Sequence, residues 1–277
     1  MNRRGRRRGA GSRRRNRSGF IAALLACLLL GCSTAIVPPA PRELPTRQWN
    51  AGELIQALQQ RAEQFRSLRA LARLDYAGPE GKNGFQEAIL VQRPDRLRLE
   101  TLSFLGAIMI VTVNDKEILG YLPREDVFLR GQRTKDNLRR LTKIPLPLEI
   151  EEITALILGS PPVKIKATSR QDGNSLSFPA ADGGLDVVAF ETNDAVPTRW
   201  ERLNAAGETE ISVKFSDYVP TPAGLFPSTI AIESATQKRR LEIRYQEPEL
   251  NATLPAEIFS QQKPPNVKEL PIEAIGS

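Results

Sequence analysis

Chemistry in this chain would have to come from carboxylates, because its 277 residues include no histidine. That removes the commonest general base, the usual zinc ligand and every Ser-His nucleophile pair. Glu149, Glu151 and Glu152 are the densest acids, and paired carboxylates suit glycoside hydrolysis. Yet Pro147 precedes them and an apolar-periodic segment follows, so they read better as first-turn acids that offset a helix dipole. Asp182, Gly183, Gly184 and Asp186 suggest calcium, but further oxygen ligands at loop spacing are missing and the segment reads as a turn. No glycine-rich phosphate loop joins a strand to a helix. The chain therefore reads as a binding protein with no enzyme activity, no metal and no cofactor.

The N-terminus explains the charge and the cysteines. Nine arginines and no acid occupy the first eighteen residues, and Phe20 to Leu30 is an unbroken apolar run. A basic start and an apolar stretch too short to span a bilayer mark residues 1–31 as a signal peptide. The run ends in Leu29, Leu30, Gly31, Cys32 and Ser33, which resembles the lipobox of bacterial lipoproteins, with Cys32 as the lipidated residue. A rival box ending at Cys27 leaves too little apolar run before it. Of 39 Lys and Arg, nine leave with the leader, so 30 remain against 32 acids. The whole-chain pI of about 9.6 then gives no reason to expect nucleic acid as a partner. With Cys27 removed and Cys32 acylated, no thiol remains for a disulfide, and the fold must stand on packing.

Beyond the cysteine, residues 32–47 hold Pro38, Pro39, Pro41 and Pro45 and form a semi-rigid tether. The spacing predicts a helix over Trp49 to Leu68, with Asn50 as N-cap, Glu53 three residues on, and Leu54, Leu58, Ala62 and Phe65 on one face. From Leu68 the period becomes two: Leu68, Ala70, Ala72, Leu74 and Tyr76 alternate with Arg69, Arg73 and Asp75. Gly78 to Gly84 reads as a turn. Strands follow at Phe85–Gln92, Arg96–Thr101, Ala107–Val113, Glu117–Leu122 and Val127–Arg130. A helical stretch from Thr134 to Leu158, broken by IPLPL, leads to further alternation at Ile211–Phe215, Thr229–Ile232 and Leu241–Tyr245. About ten short strands with covering helices imply a mainly β, α+β domain. Its expected form is a single curved antiparallel sheet or incomplete β-barrel, capped by helices around an apolar cavity, over residues 48–262. Residues 263–277 read as a loose, proline-containing tail.

Three groups of residues stand out as candidate sites. Leu58, Phe65, Leu74, Tyr76, Leu97, Leu99, Ile153 and Leu156 are candidates for the cavity wall, although core packing explains their spacing equally well. Arg133, Lys135, Arg139 and Arg140, with Arg130 and Lys143, form a basic cluster opposed locally by Asp136. This cluster either meets anionic headgroups or is a solvated helix face. Phe104, Leu105 and Gly106 lie on a turn between two strands, where polar residues are usual; they either insert into lipid or fold back as core.

Two segments, LTKIPLPLEIEEITALILGSPP at Leu141 to Pro162 and PDRLRLETLSFLGAIMIVTV from Pro94, resemble the LolA/LolB lipoprotein-carrier superfamily. The likeness is greatest to its outer-membrane receptor branch, whose members are themselves lipoproteins. It covers roughly Trp49 to Pro162, and the later strands match by pattern. It implies a helix-capped incomplete barrel that takes acyl chains, and a protruding leucine on a turn, matched here by Leu105. On that resemblance the chain is a monomer anchored in the outer membrane and facing the periplasm. There it would accept lipoprotein acyl chains, or a similar amphiphile, from a LolA-like carrier and deliver them to membrane lipid. The alternative is an envelope scaffold or sensor of the same fold that binds a protein partner without lipid cargo.

Overall fold

The computed structural model describes residues 47–142, 147–165, 169–180 and 182–275. The segment read as a signal peptide, Cys32, almost all of the stretch read as a tether, and Lys143 lie outside the described residues. Fourteen strands form one sheet in the order β14-β6-β5-β4-β3-β2-β1-β13-β12-β11-β10-β9-β8-β7. The first meander runs through β1 (Ser67–Gly78), β2 (Gly81–Gln92), β3 (Arg96–Ser103), β4 (Gly106–Val113), β5 (Glu117–Leu122) and β6 (Val127–Gln132). The second runs through β7 (Arg170–Asp172), β8 (Ser175–Pro179), β9 (Leu185–Phe190), β10 (Pro197–Leu203), β11 (Thr209–Thr221), β12 (Gly224–Ser234) and β13 (Arg239–Leu250). The meanders meet where β1 pairs with β13, antiparallel like its neighbours. The two outer strands do not pair with each other, so the sheet is open. Mainly β structure, one curved antiparallel sheet and covering helices agree with the sequence reading.

Alternation decides which face is buried. On β1, Leu68, Ala70, Ala72, Leu74 and Tyr76 are buried while Arg69 and Arg73 are exposed, so one face carries the core. Helix α1 (Ala51–Gln64) starts in a capping box: the Asn50 side chain accepts from the Glu53 amide at 3.0 Å, and Glu53 accepts from the Asn50 amide at 2.9 Å. It lays Leu54, Leu58 and Arg61 inward, and Phe65 just beyond packs edge-on against Phe226 of β12, 5.7 Å between ring centres. Helices α2 (Lys135–Thr142) and α3 (Ile150–Ile157) flank the proline link. Gly159, at φ +66, closes α3 in the left-handed conformation, and the Ser160 amide donates back to Ala155.

The first helix ends at Gln64 and not at Leu68, because β1 starts at Ser67, and the structure departs from the sequence reading in three further places. The turn read at Gly78 to Gly84 is only Pro79 and Glu80, because β2 starts at Gly81 and pairs with β1 along its full length. Those first β2 residues are solvated on both faces, so no apolar period marks them. Strands β7 to β10 were not read from the sequence, although Leu176, Phe178, Val188, Phe190 and Trp200 are buried; frequent turn residues cut that alternation short.

The third departure is the tail read as loose. Lys268–Pro271 forms β14, which pairs in parallel with β6, and Ile272 behind it is 0% exposed. The domain therefore continues through the last described residues. Its prolines are compatible with this place, since Pro271 ends an outer strand whose free side needs no donor. Between β13 and β14 the chain crosses the convex face. Phe259 packs with Leu254, Ile258 and Leu90, and Val267 with Leu119 and Phe128. Arg98 donates to the Ile258 carbonyl at 3.2 Å, and Asn114 to the Phe259 carbonyl at 3.1 Å. Ile272 also fills the space beside Gly131, where an added Cβ would lie 2.9 Å from its terminal methyl. Ile272→Ala should lower the unfolding free energy by about 2–4 kcal/mol, read as an earlier urea midpoint; an unchanged midpoint would mean that the C-terminal segment is not part of the core.

Candidate functional site

A hollow of about 70 Å³ lies between the sheet and the two short helices. Leu74, Ile89, Leu97 and Leu99 line it from β1 to β3, and Ile232, Leu241 and Ile243 from β12 and β13. Leu138 of α2, Leu148 of the link and Ile153, Leu156 and Ile157 of α3 roof it, with Arg139 and Thr142 as the polar residues among its lining. Of the expected wall residues, Leu74, Leu97, Leu99, Ile153 and Leu156 are there. Leu58, Phe65 and Tyr76 do not line it. They belong to the packed core, Phe65 against Phe226 under α1, and Tyr76 with its hydroxyl accepting from Arg239 at 2.8 Å.

The two roof helices are held differently. The Asn137 amide donates to Thr134 Oγ1 at 3.2 Å near the start of α2, and the Glu149 amide donates to Glu152 at 2.9 Å at the start of α3. From outside, the C-terminal segment grips α2: Asn137 Nδ2 donates to Glu273 at 2.7 Å and Arg140 donates to the Ile275 carbonyl at 3.4 Å. The far end of α3 is fixed by Arg61, 7% exposed, whose Nε donates to the Gly159 carbonyl at 2.6 Å and Nη1 to the Leu225 carbonyl at 2.9 Å. Its guanidinium lies 4.7 Å from the Phe65 ring centre. Burial pulls its pKa down to about 10, still charged at neutral pH. Sequence reading passed over Arg61, although it shares the helical face of Leu54, Leu58 and Phe65.

A second polar group is buried on the concave face. Glu87 of β2 is 2% exposed, and Thr101 Oγ1, on the facing strand β3, donates to its Oε2 at 2.9 Å. Burial pushes the Glu87 carboxyl up to about 7, with the Thr101 hydrogen bond opposing and the charge of Glu100 adding to the rise. Its sequence signal was available: Phe85, Glu87, Ile89 and Val91 alternate inward, and only Glu87 is charged.

At the end of the β3–β4 hairpin, Phe104 is 95% exposed and Leu105 74% exposed. The loop is two residues long and is braced by Ser103, whose hydroxyl donates to the Gly106 carbonyl at 2.9 Å and accepts from the Leu105 amide at 3.2 Å and from Arg124 at 3.0 Å. Gly106, at φ +106, takes a conformation that side chains disfavour. These bonds hold the two apolar side chains outward, so they do not fold back as core.

Of the two readings of the basic cluster, headgroup contact and a solvated helix face, the ion pairs around it favour the second. Arg133 pairs with Asp95 at 2.7 Å and with Glu151 at 2.5 Å, Lys135 with Glu149 at 2.5 Å, and Arg139 with Asp136 at 3.2 Å. Arg130 pairs with Glu269 at 2.9 Å and with Glu117, while Arg140 spends a donor on the Ile275 carbonyl. Most of these acids come from distant segments, so local sequence could not show the pairing. The acids of Glu149 to Glu152 thus cap α3 and pair with cations, and Glu152 and Asp186 both bind Arg202, at 2.7 Å and 3.0 Å. Asp182 accepts from the Gly184 amide at 3.0 Å, as a turn residue does. Among the described residues no acidic cluster has the makings of a metal site.

No family model and no curated protein matches the sequence. Solved structures do match the fold. An assigned outer membrane lipoprotein-sorting protein domain from Vibrio parahaemolyticus superposes with a TM-score of 0.51 at 13% identity, covering 76% of this chain and 97% of that one. A DUF1329 family protein from Desulfovibrio piger gives 0.51 at 10% identity, over 75% and 95%. A LolA superfamily protein from Nitrosomonas europaea gives 0.49 at 10% identity, over 74% and 97%, too distant to carry an argument. The first two share this fold.

Glu87 makes the site testable by pH. Its folded pKa of about 7 lies above the 4.5 of an ordinary glutamate, so the folded state binds more protons between those values and loses stability as pH rises through them. The expected cost above pH 7 is on the order of 3 kcal/mol. Between pH 5 and pH 8, Glu87→Gln should remove that loss from the urea midpoint; parallel pH profiles for the two proteins would place Glu87 in water instead.

Proposed function

We propose that this domain is a membrane-docked carrier that takes up the acyl chains of lipoproteins, or of a similar amphiphile, and releases them into the outer membrane. The observation that carries the reading is the aliphatic hollow roofed by two short helices, on the same sheet as a rigid, exposed Phe-Leu tip. Binding is its whole task, with no covalent step. Burying Phe104 and Leu105 in lipid contributes on the order of 3–6 kcal/mol, enough to seat a domain already tethered nearby by an acylated Cys32. Export, lipidation at Cys32 and a periplasm-facing position complete the proposal, with a LolA-like carrier as donor and the chain acting as a monomer. The shared fold of a domain assigned to outer membrane lipoprotein sorting supports it.

The hollow is about 70 Å³, roughly half of the ~150 Å³ that admits a benzene ring in an engineered protein cavity. Carrying an acyl chain therefore requires α2 and α3 to move away from the sheet, with the chain replacing their contacts to the strands. The same tightness favours a second reading, an envelope adaptor whose interior stays closed and whose exposed tip only positions it on the membrane. Mass spectrometry of the full chain extracted from membranes separates them: co-purified acyl lipid in about molar ratio supports the carrier, and a lipid-free interior supports the adaptor.

The tip has its own test. Leu105→Glu should leave far-UV circular dichroism and the melting temperature unchanged, because the side chain has no buried contact to lose. Flotation with phosphatidylethanolamine and phosphatidylglycerol vesicles should fall about tenfold or more, consistent with losing one buried apolar side chain and adding a charge. A large drop in melting temperature would show that Leu105 belongs to the core.

A further inference from the structure

Glu87 has no evident part in folding. A carboxyl buried against aliphatic neighbours is costly unless well hydrogen-bonded, and a single threonine hydroxyl is the hydrogen bond it makes among the described residues. Its place in the sheet is specific. It pairs across the strands with Ala72 and Thr101. Three residues of the hollow's wall surround it on the same face: Ile89 two positions along β2, Leu99 two positions from Thr101, and Leu74 two positions from Ala72. A small residue, Ala72, stands on one side of it. The exposed tip lies beyond Thr101 on the same strand, with Leu74 on that side of Glu87 and Ile89 and Leu99 on the other.

We propose that Glu87, held by Thr101, recognises the carbonyl of an ester- or amide-linked acyl chain whose hydrocarbon occupies the hollow. The proposal deepens the carrier reading and rests on it. Thr101 donates to Oε2, which leaves Oε1 to carry the proton of the neutral acid. A carboxyl whose ionisation is pushed up to about 7 holds that proton at mildly acidic pH and can donate it in a hydrogen bond. The matching acceptor is an uncharged carbonyl, the group at the head of each chain in an acylated lipoprotein or a glycerolipid. Hydrocarbon alone leaves the carboxyl no better satisfied than the empty protein does. Glu87 is thus a specificity-determining residue for linked acyl chains over bare hydrocarbon.

The test uses the full chain at pH 6 with two probes of similar length, methyl laurate and tridecane, each measured by displacement of a bound environment-sensitive fluorophore. The wild type should prefer the ester by about tenfold, the worth of one buried hydrogen bond of roughly 1.4 kcal/mol. Glu87→Gln keeps a donor and should keep most of that preference, whereas Glu87→Met should bind both probes alike. The carbonyl stretch of carbonyl-13C methyl laurate should fall to lower frequency in the wild type and in Glu87→Gln, but not in Glu87→Met. A structural role alone would not move that band. Retention of both the preference and the band shift in Glu87→Met overturns the assignment of Glu87 and leaves the carrier reading standing. Failure of the wild type to bind either probe overturns both.

Discussion

Fourteen strands in one open sheet turn an apolar concave face inward, and helices of 14, 8 and 8 residues help to cover it. Everything specific to this domain follows from how that cover is arranged. Helix α1 takes the side of β12, where Phe65 and Phe226 meet edge to face. Helices α2 and α3 take the side of β1 to β3 and leave a small void under them. Because each short helix buries little surface of its own, its position depends on anchors: Arg61 at the end of α3, and the C-terminal residues Glu273 and Ile275 on α2. A roof held by a few polar ties and modest burial can shift without unfolding the sheet beneath it.

What the sequence made legible was whatever depends on neighbours along the chain. The period of two on β1, the capping box at Asn50 and Glu53, and the apolar turn at Phe104 and Leu105 are local patterns, and the structure carries all three. Three of the eight expected wall residues lie elsewhere for the opposite reason. Leu58 and Phe65 share the inward side of α1 and Tyr76 shares the inward face of β1 with Leu74, so only tertiary position separates solid core from the wall of the hollow. Prolines hid β14, since a parallel partner 141 residues upstream leaves no mark on local sequence. Glu87 was legible as an oddity in an inward alternation, but its meaning needed the facing strand.

Charge has a small role here, in line with the solvated helix face that the sequence offered as one of two readings. Around α2, Arg133 meets Asp95 and Glu151, Lys135 meets Glu149 and Arg139 meets Asp136, so much of the positive charge of that face is offset. Exposed pairs of this kind contribute little stability, but they remove the long-range pull toward anionic lipid that free cations would give. On the proposed carrier reading, docking on a bilayer is then left to hydrophobic burial at the hairpin tip, which salt does not screen.

An open sheet has two outer strands, and unpaired strand edges are where β-proteins join one another into fibrils. Here β14 lies against β6 in parallel, so its own far side is only four residues long and ends at a proline. At the opposite border β7 is three residues, Arg170, Gln171 and Asp172, fully solvated and carrying two charges, with Gln171 turned to donate to the Trp49 carbonyl at 2.6 Å. Neither border offers a long, flat template, which lets a molecule with so wide a sheet remain dispersed when crowded against its own copies.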